Sequence, residues 1–207
     1  MKRKFLAENR NIVIALIVLI GCSTIFYIWA SCIEKAPLSE PISITSKSQV
    51  DKDIYIPLAE NYEVVLVFDR ANKSFEELQH LIGELGVDGS GTSVPVRWAL
   101  TSQSSNKTAA QGEINSTGSS AWGNGYVERK IGNVKVEPGN YHFHAEVLSD
   151  VSELSTLKTK IAIEFNPKFT TTWQMAVNWW GTVVLAYLVI PAIIILGFIL
   201  ILRGMRR

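Results

Sequence analysis

His142 and His144 lie two residues apart in the run YHFHAE that ends at Glu146. Residues two apart on an extended strand share a face, so both imidazoles and the Glu146 carboxylate would point the same way. Two imidazoles and a carboxylate form a donor set that zinc accepts, and a metal-dependent envelope enzyme is the function such a set would serve. The simpler reading is an ordinary solvent-facing strand. No fourth ligand stands nearby in the sequence, and His80 falls in a helical pattern that no spacing rule ties to the pair. The simpler reading is adopted, with no metal, no cofactor and no catalytic residue assigned. No GxSxG elbow surrounds any serine. The glycine-rich VDGSGTS, residues 87–93, has neither GxGxxG spacing nor a helix after it, which argues against a phosphate cradle. The expectation is a chain that is not an enzyme and takes no small-molecule substrate.

Binding is the other chemistry on offer. Residues 102–128, SQSSNKTAAQGEINSTGSSAWGNGYVE, read as one long irregular segment, polar except for Trp122 and Tyr126. Aromatics among small polar residues on a loop serve as interface anchors, although Trp122 could equally fold back onto a sheet. A helix supplies the second surface. Ser74 and Glu77 form a capping box. Phe75, Leu78, Leu81, Ile82 and Leu85 then follow on one stripe until Gly86, for about 12 residues at helical spacing. Trp122, Tyr126, Phe75 and His80 are therefore the candidate binding residues.

The segments that would hold this surface alternate with period two. Ile54, Ile56 and Leu58 do so, as do Tyr62, Val64, Leu66 and Phe68, whose neighbours Val65 and Val67 are also apolar. Val94, Val96, Trp98 and Leu100 follow, then Val134 and Val136, then Tyr141, Phe143, Ala145 and Val147, and last Ile161, Ile163 and Phe165. Short alternating strands between Gly, Asn, Ser and Pro turns predict a mainly β domain over residues 51–167, an antiparallel β-sandwich of Ig-like or jelly-roll-like kind with one short helix. The doubled apolar run at residues 62–68 predicts a central strand buried on both faces. Residues 34–50 read as an extended tether that enters a first strand at Ile42 to Ile44. Asn72, Asn106 and Asn115 fit the glycosylation sequon, a pattern short enough to arise by chance.

Two apolar stretches flank the domain. Residues 173–202 open with Trp173, Trp179 and Trp180, carry no charge, and end at Arg203, Arg206 and Arg207. Residues 12–33 follow a tail bearing Lys2, Arg3, Lys4 and Arg10 against Glu8. Each is long enough to cross the roughly 30 Å core of a bilayer as a helix. Pro191, mid-span, predicts a kink. The first stretch has two alternatives: a cleaved signal, or a lipoprotein signal in which Leu19, Ile20, Gly21 and Cys22 form the lipobox and Cys22 carries the lipid. The apolar run that continues past Cys22 favours the intact span. Residues 34–168 hold 13 basic and 18 acidic residues, so basic charge is concentrated at both tails, residues 1–11 and 203–207. The positive-inside rule then places both tails in the cytoplasm and the domain outside, in the periplasm of a bacterial inner membrane. An acidic domain excludes a nucleic-acid partner. Cys22 and Cys32 lie in the first stretch, so no disulfide is expected in the exported domain. No ionisable residue lies inside either span, which argues against a transporter or channel.

YEVVLVFD (62–69), LIGELG (81–86), VPVRWAL (94–100) and the V-x-P-G-x-Y corner (136–141) together resemble a small group of uncharacterised bacterial envelope β-sandwich domains, over about residues 50–166. Members of such families look like immunity proteins encoded beside secreted toxins. The resemblance implies a membrane-anchored module that binds a protein partner, a secreted toxin in that case, with no catalytic residues to transfer. A structural subunit of an envelope complex, held by its helices, is the alternative.

Overall fold

The computed structural model describes residues 9–70, 73–165, 170 and 172–205. Lys2, Arg3, Lys4, Arg206 and Arg207 of the basic tails, Asn72 of the first sequon and Pro167 lie outside the described residues, as does the Phe75 side chain. The chain divides into a helical unit, Met1–Lys35 with Thr171–Arg207, and a sheet unit, Ala36–Thr170. In chain order the elements are α1 (Arg10–Glu34), β1 (Leu38–Pro41), β2 (Gln49–Ile56), β3 (Glu60–Asp69), α2 (Phe75–Ile82), β4 (Val94–Ser102), β5 (Lys107–Ser116), β6 (Ala121–Trp122), β7 (Tyr126–Val136), β8 (Gly139–Val147), β9 (Thr159–Glu164), α3 (Trp173–Val184) and α4 (Ile190–Met205).

The sheet unit is the expected antiparallel sandwich. One sheet runs β1-β9-β3-β7-β6 and the other β2-β8-β4-β5. The alternating residues face each other between them: Tyr62, Val64, Leu66 and Phe68 of β3, Val94, Val96, Trp98 and Leu100 of β4, Phe143 and Ala145 of β8, and Ile161 and Ile163 of β9. β3 lies between β9 and β7. Val64, Val65 and Leu66 are all fully buried, so the middle of β3 is covered on both faces. Tyr62 and Tyr141 each donate a phenolic hydrogen to the carbonyl four residues back, Leu58 (3.1 Å) and Glu137 (2.8 Å). Each ties a strand to the turn before it.

Trp98 joins the two sheets. A register shift between Val64 and Val65 leaves Ile131 of β7 opposite no residue of β3. The Ile131 carbonyl instead accepts from Trp98 Nε1, 3.2 Å away on the other sheet. Two glycines make room for the indole: a Cβ on Gly132 would come 2.2 Å from it and one on Gly112 2.8 Å.

Three expectations need correction. The tether, residues 34–50, contains β1, which pairs with β9, and Ile42 and Ile44 lie past it, 5 % and 3 % exposed. The chain thus joins the sheet earlier than residue 51. The irregular segment 102–128 holds a ten-residue strand, β5, and the short β6. Its inward positions are Ala110, Gly112, Ile114 and Ser116, opposite Leu100, Trp98, Val96 and Val94. A strand with such small inward residues shows no apolar alternation. Third, α2 has the expected capping box, with Ser74 N–H donating to Glu77 Oε2 (2.8 Å) and Glu77 N–H to Ser74 Oγ (3.2 Å), but it stops at Ile82. Gly83, at φ +104°, ends it, so Leu85 is off the stripe and 59 % exposed.

In the helical unit both helical stretches, Arg10–Glu34 and Trp173–Met205, are long and apolar enough to cross a membrane. They pair antiparallel. Arg203 Nη1 donates to Asn9 Oδ1 (2.9 Å) at one end and Asn178 Nδ2 to Glu34 Oε1 (2.6 Å) at the other. Between the clamps Phe26 fills the notch at Gly181, where a Cβ would come within 2.3 Å of the ring. The disturbance expected at Pro191 takes the form of one π-helical turn, Leu185–Val189, just before it. Proline offers no amide to the carbonyl four residues back and crowds it, so the ladder loosens there.

Candidate binding face at the loop end of the sandwich

The loops at one end of the sandwich are organised by Arg129. In β7 the inward positions run Val127, Arg129, Ile131, Val134 and Val136, so a guanidinium occupies a core position with none of its surface exposed. Five donors on a planar fork can serve several carbonyls at once. Nε donates to Ile82 O (2.9 Å) and Nη1 to Thr92 O (2.6 Å) and Ser116 O (3.0 Å), while Nη2 reaches Leu81 O (3.3 Å) and, in a very short contact, Ile82 O. One side chain therefore ties the end of α2, the approach to β4 and the end of β5. The Leu81 and Ile82 carbonyls belong to the last turn of α2, where the helix dipole favours a cation. The guanidinium also lies 5.5 Å from the centre of the Phe68 ring. Burial pushes its pKa down to about 10, which leaves it charged at neutral pH.

Glycines let these segments touch. Gly83, Gly91 and Gly118 have φ of +104°, +72° and +64°, and a Cβ on any of them would meet backbone within 2.5 Å. VDGSGTS thus packs closely against residues 117–119, with Gly118 N–H donating to Ser90 O (2.8 Å) and Gly89 N–H to Thr117 Oγ1 (3.0 Å). Ser119 N–H donates to Glu84 O (3.1 Å), and Gly86 N–H donates to Ser119 O (2.9 Å).

Trp122 belongs to this assembly. It packs partly buried against the core, and its Nε1 donates to Ser119 Oγ (2.6 Å). Its role as a free-standing anchor gives way to that of a brace. Tyr126 is the exposed aromatic, 43 % accessible, on the opposite face of the β6–β7 hairpin with its ring against Gly123. His80 is exposed on α2 and lines an open groove with Glu84, Thr92 and Glu153. Thr92 Oγ1 donates to Glu153 Oε2 there (2.5 Å). Of the four residues read as a binding surface, Tyr126 and His80 present themselves to solvent, Trp122 is half-buried, and the Phe75 side chain is not described.

His142 and His144 lie elsewhere, on the outer face of the other sheet, and their neighbours are Asp53 and Asp51 of β2. His142 Nδ1 is 2.9 Å from Asp53 Oδ1 and Nε2 is 3.1 Å from Asp51 Oδ1, while His144 Nδ1 is 3.2 Å from Asp51 Oδ2. The hydrogen bond to Asp53 raises the His142 pKa, and the same bond lowers that of Asp53. Glu146 stands opposite Gln49 and Arg97. In place of the set His142, His144 and Glu146 stands an imidazole–aspartate cluster in which Asp51 meets both histidines and Asp53 meets His142. Among the described residues no group of three or more His, Cys, Asp or Glu is arranged to hold a metal ion. Cys22 is exposed in the middle of α1, which continues unbroken past it to Glu34.

Arg129 and the Asp51–His144 and Asp53–His142 pairs escape sequence reading. The register of β7 with β3 and of β2 with β8 creates them, and local pattern carries neither.

Residues 39–165 match the model of a family described as a domain of unknown function, DUF5625, and the chain belongs to that family. The match starts at β1, in keeping with the strand found in the expected tether. A crystal structure of a protein from Sulfurospirillum deleyianum is similar in fold, with a TM-score of 0.53 at 20 % identity over 64 % of this chain and 98 % of that one. A structure of infectious bursal disease virus, Gt strain, matches at a TM-score of 0.23 and 10 % identity over 60 % of this chain and 30 % of that one, too low to bear on the fold. A search of curated proteins gives no match.

Proposed function

We propose that this chain is a two-span membrane protein that displays its sandwich on the far side of a bacterial inner membrane, in the periplasm, and there binds a protein partner through the loop end. It carries out no reaction. The resemblance drawn from the sequence implies immunity to an antibacterial toxin as the form this binding takes. The observation that carries the binding reading is the loop end itself. Arg129 and the glycine contacts hold three chain segments rigid behind the exposed His80 and Tyr126. Rigidity before contact lowers the ordering cost of association. For the membrane orientation, the support is the antiparallel helix pair. Asn9 and Arg203 meet at one end of it, Glu34 and Asn178 at the other. Both tails then fall on one side, the side that their basic residues select.

An accessory-subunit role, with partners gripped by the spans, is the competing reading, favoured by the exposed apolar faces of both helices. One experiment separates the two. Photo-crosslinking residues are placed at His80 and Tyr126 of the full chain in membranes, with the native spans and with both replaced by unrelated ones. The binding reading expects the same protein adduct in both constructions. Adducts that vanish with the native spans would transfer the function to the helices.

A further inference from the structure

We propose that the partner docks by strand addition: an extended segment of it pairs with β5 and sets an aliphatic side chain into the groove beside Ile114. This rests on the reading of the domain as a protein-binding module.

A sheet edge offers unpaired main-chain groups, and proteins that do not use an edge blunt it with shortness, proline or charge. Among the described residues the two sheets have four edges, and three of them are blunted. β1 has four residues and ends in Pro41, β6 has two, and β2 carries Asp51, Lys52 and Asp53 in succession. β5 has ten residues and no proline, and its outward positions Gln111, Glu113 and Asn115 are exposed; it carries Lys107 at its start and one later charge, Glu113, which is paired with Arg97 of β4 at 2.8 Å.

The direction of its main-chain groups follows from the ladder. Leu148 N–H donates to Pro95 O (3.0 Å) and Gln103 N–H to Asn140 O (3.1 Å), so the odd residues of β4 turn their main-chain groups to β8. The even residues then turn theirs to β5, and they face Ser116, Ile114, Gly112 and Ala110. In an antiparallel ladder the alternate residues point the other way. Gln111, Glu113 and Asn115 therefore aim both N–H and C=O at the open edge. Among the described residues no other strand pairs with this edge.

A groove of about 350 Å³ lies along the same flank, with Ile114, Ile131 and Gly132 as its apolar side and Asp88, Thr117 and Lys130 among the polar residues that line the rest. Ile114 is on the inward face of β5 yet 41 % exposed. A strand laid beside β5 would direct every second side chain over this groove. Main-chain bonding would supply affinity and the groove would select the side chain, the division of labour seen in strand addition generally.

The test uses the full chain in its membrane, with photo-crosslinking residues at Gln111, at Tyr55 on the opposite edge, and at His80 and Tyr126. The expected result is a protein adduct from Gln111 and none from Tyr55. A synthetic peptide covering the adducted segment, added to the full chain in micelles, should then slow amide exchange at Gln111, Glu113 and Asn115. Glu113→Pro removes an outward N–H, a change an edge strand tolerates. It should weaken that peptide about tenfold or more with the melting temperature little changed, and Ile114→Lys should weaken it as well. Adducts from His80 or Tyr126 without one from Gln111 would overturn strand addition and leave the binding reading standing. Silence from all positions would end both. A Gln111 adduct to a second copy of this chain alone would make β5 a self-association edge and overturn the proposal.

Discussion

Arg129 shows how much one residue can decide. Its charge sits in a core position without a carboxylate among its hydrogen-bond partners, and its stability comes from the carbonyls of Leu81, Ile82, Thr92 and Ser116. Truncation would strand those acceptors under cover. Arg129→Ala should therefore cost on the order of 3–5 kcal/mol, a large share of the 5–15 kcal/mol typical of a whole domain. Arg129→Lys should recover little, because an ammonium cannot span four acceptors in a plane. Urea unfolding of both variants measures this. Glu164 sets a second expectation. Burial first, then the charges of Glu128 and Glu63, push its pKa up to about 7. Lys130 is bonded to Glu63 at 2.9 Å. A carboxyl raised in the folded state binds its proton more tightly there than in the unfolded chain, so stability falls as pH rises from about 4.5 to about 7. Glu164→Gln removes the ionisation. It should raise the melting temperature above pH 7, leave it nearly unchanged below pH 4.5, and flatten the profile between. A slope that persists in the variant would assign the effect to other groups.

At the scale of elements, the sandwich depends on a tryptophan and two glycines that meet across it. Trp98 is anchored in β4, and the space it fills is left by Gly132 of β7 and Gly112 of β5. The bulge in β7 releases the Ile131 carbonyl that its indole N–H needs. Gly132→Ala would put a methyl 2.2 Å from the ring and force the sheets apart or the indole out. Overpacking of this kind costs about 1–3 kcal/mol. The expected signature is a lower melting temperature with a shifted Trp98 indole N–H resonance, while Gly125→Ala, where a Cβ meets nothing, should change neither. The same glycines explain why β5 is hard to see in the sequence. A strand that must admit an indole from its neighbour cannot carry large inward residues, so its period is silent. α2 is the opposite case. Its start is written in Ser74 and Glu77, and the structure repeats that bond for bond. Its end is not local, because two glycines, Gly83 and Gly86, both fit as stops, and the tight packing of Gly83 against Ser90 and Gly118 selects the first.

For the molecule as a whole, the sequence by itself determined whatever depends on neighbours in the chain. Two unbroken apolar runs make two span-length helices, period-two alternation makes a sandwich with β3 at its centre, and a capping box starts α2. Each is a local signal, since burial of every second or every fourth residue is decided by spacing alone. Only the tertiary structure decided what depends on register between distant segments. The β2–β8 pairing gave the histidines their aspartates and left Glu146 out of a metal set. The Phe26–Gly181 notch paired the spans without any GxxxG pattern. The inward phase of β7 buried Arg129, and the order of strands left β5 exposed at an edge. A residue's partners across a sheet are set by which strands close together, and that choice is made by the packing of the whole core, a free energy that no single stretch of chain contains.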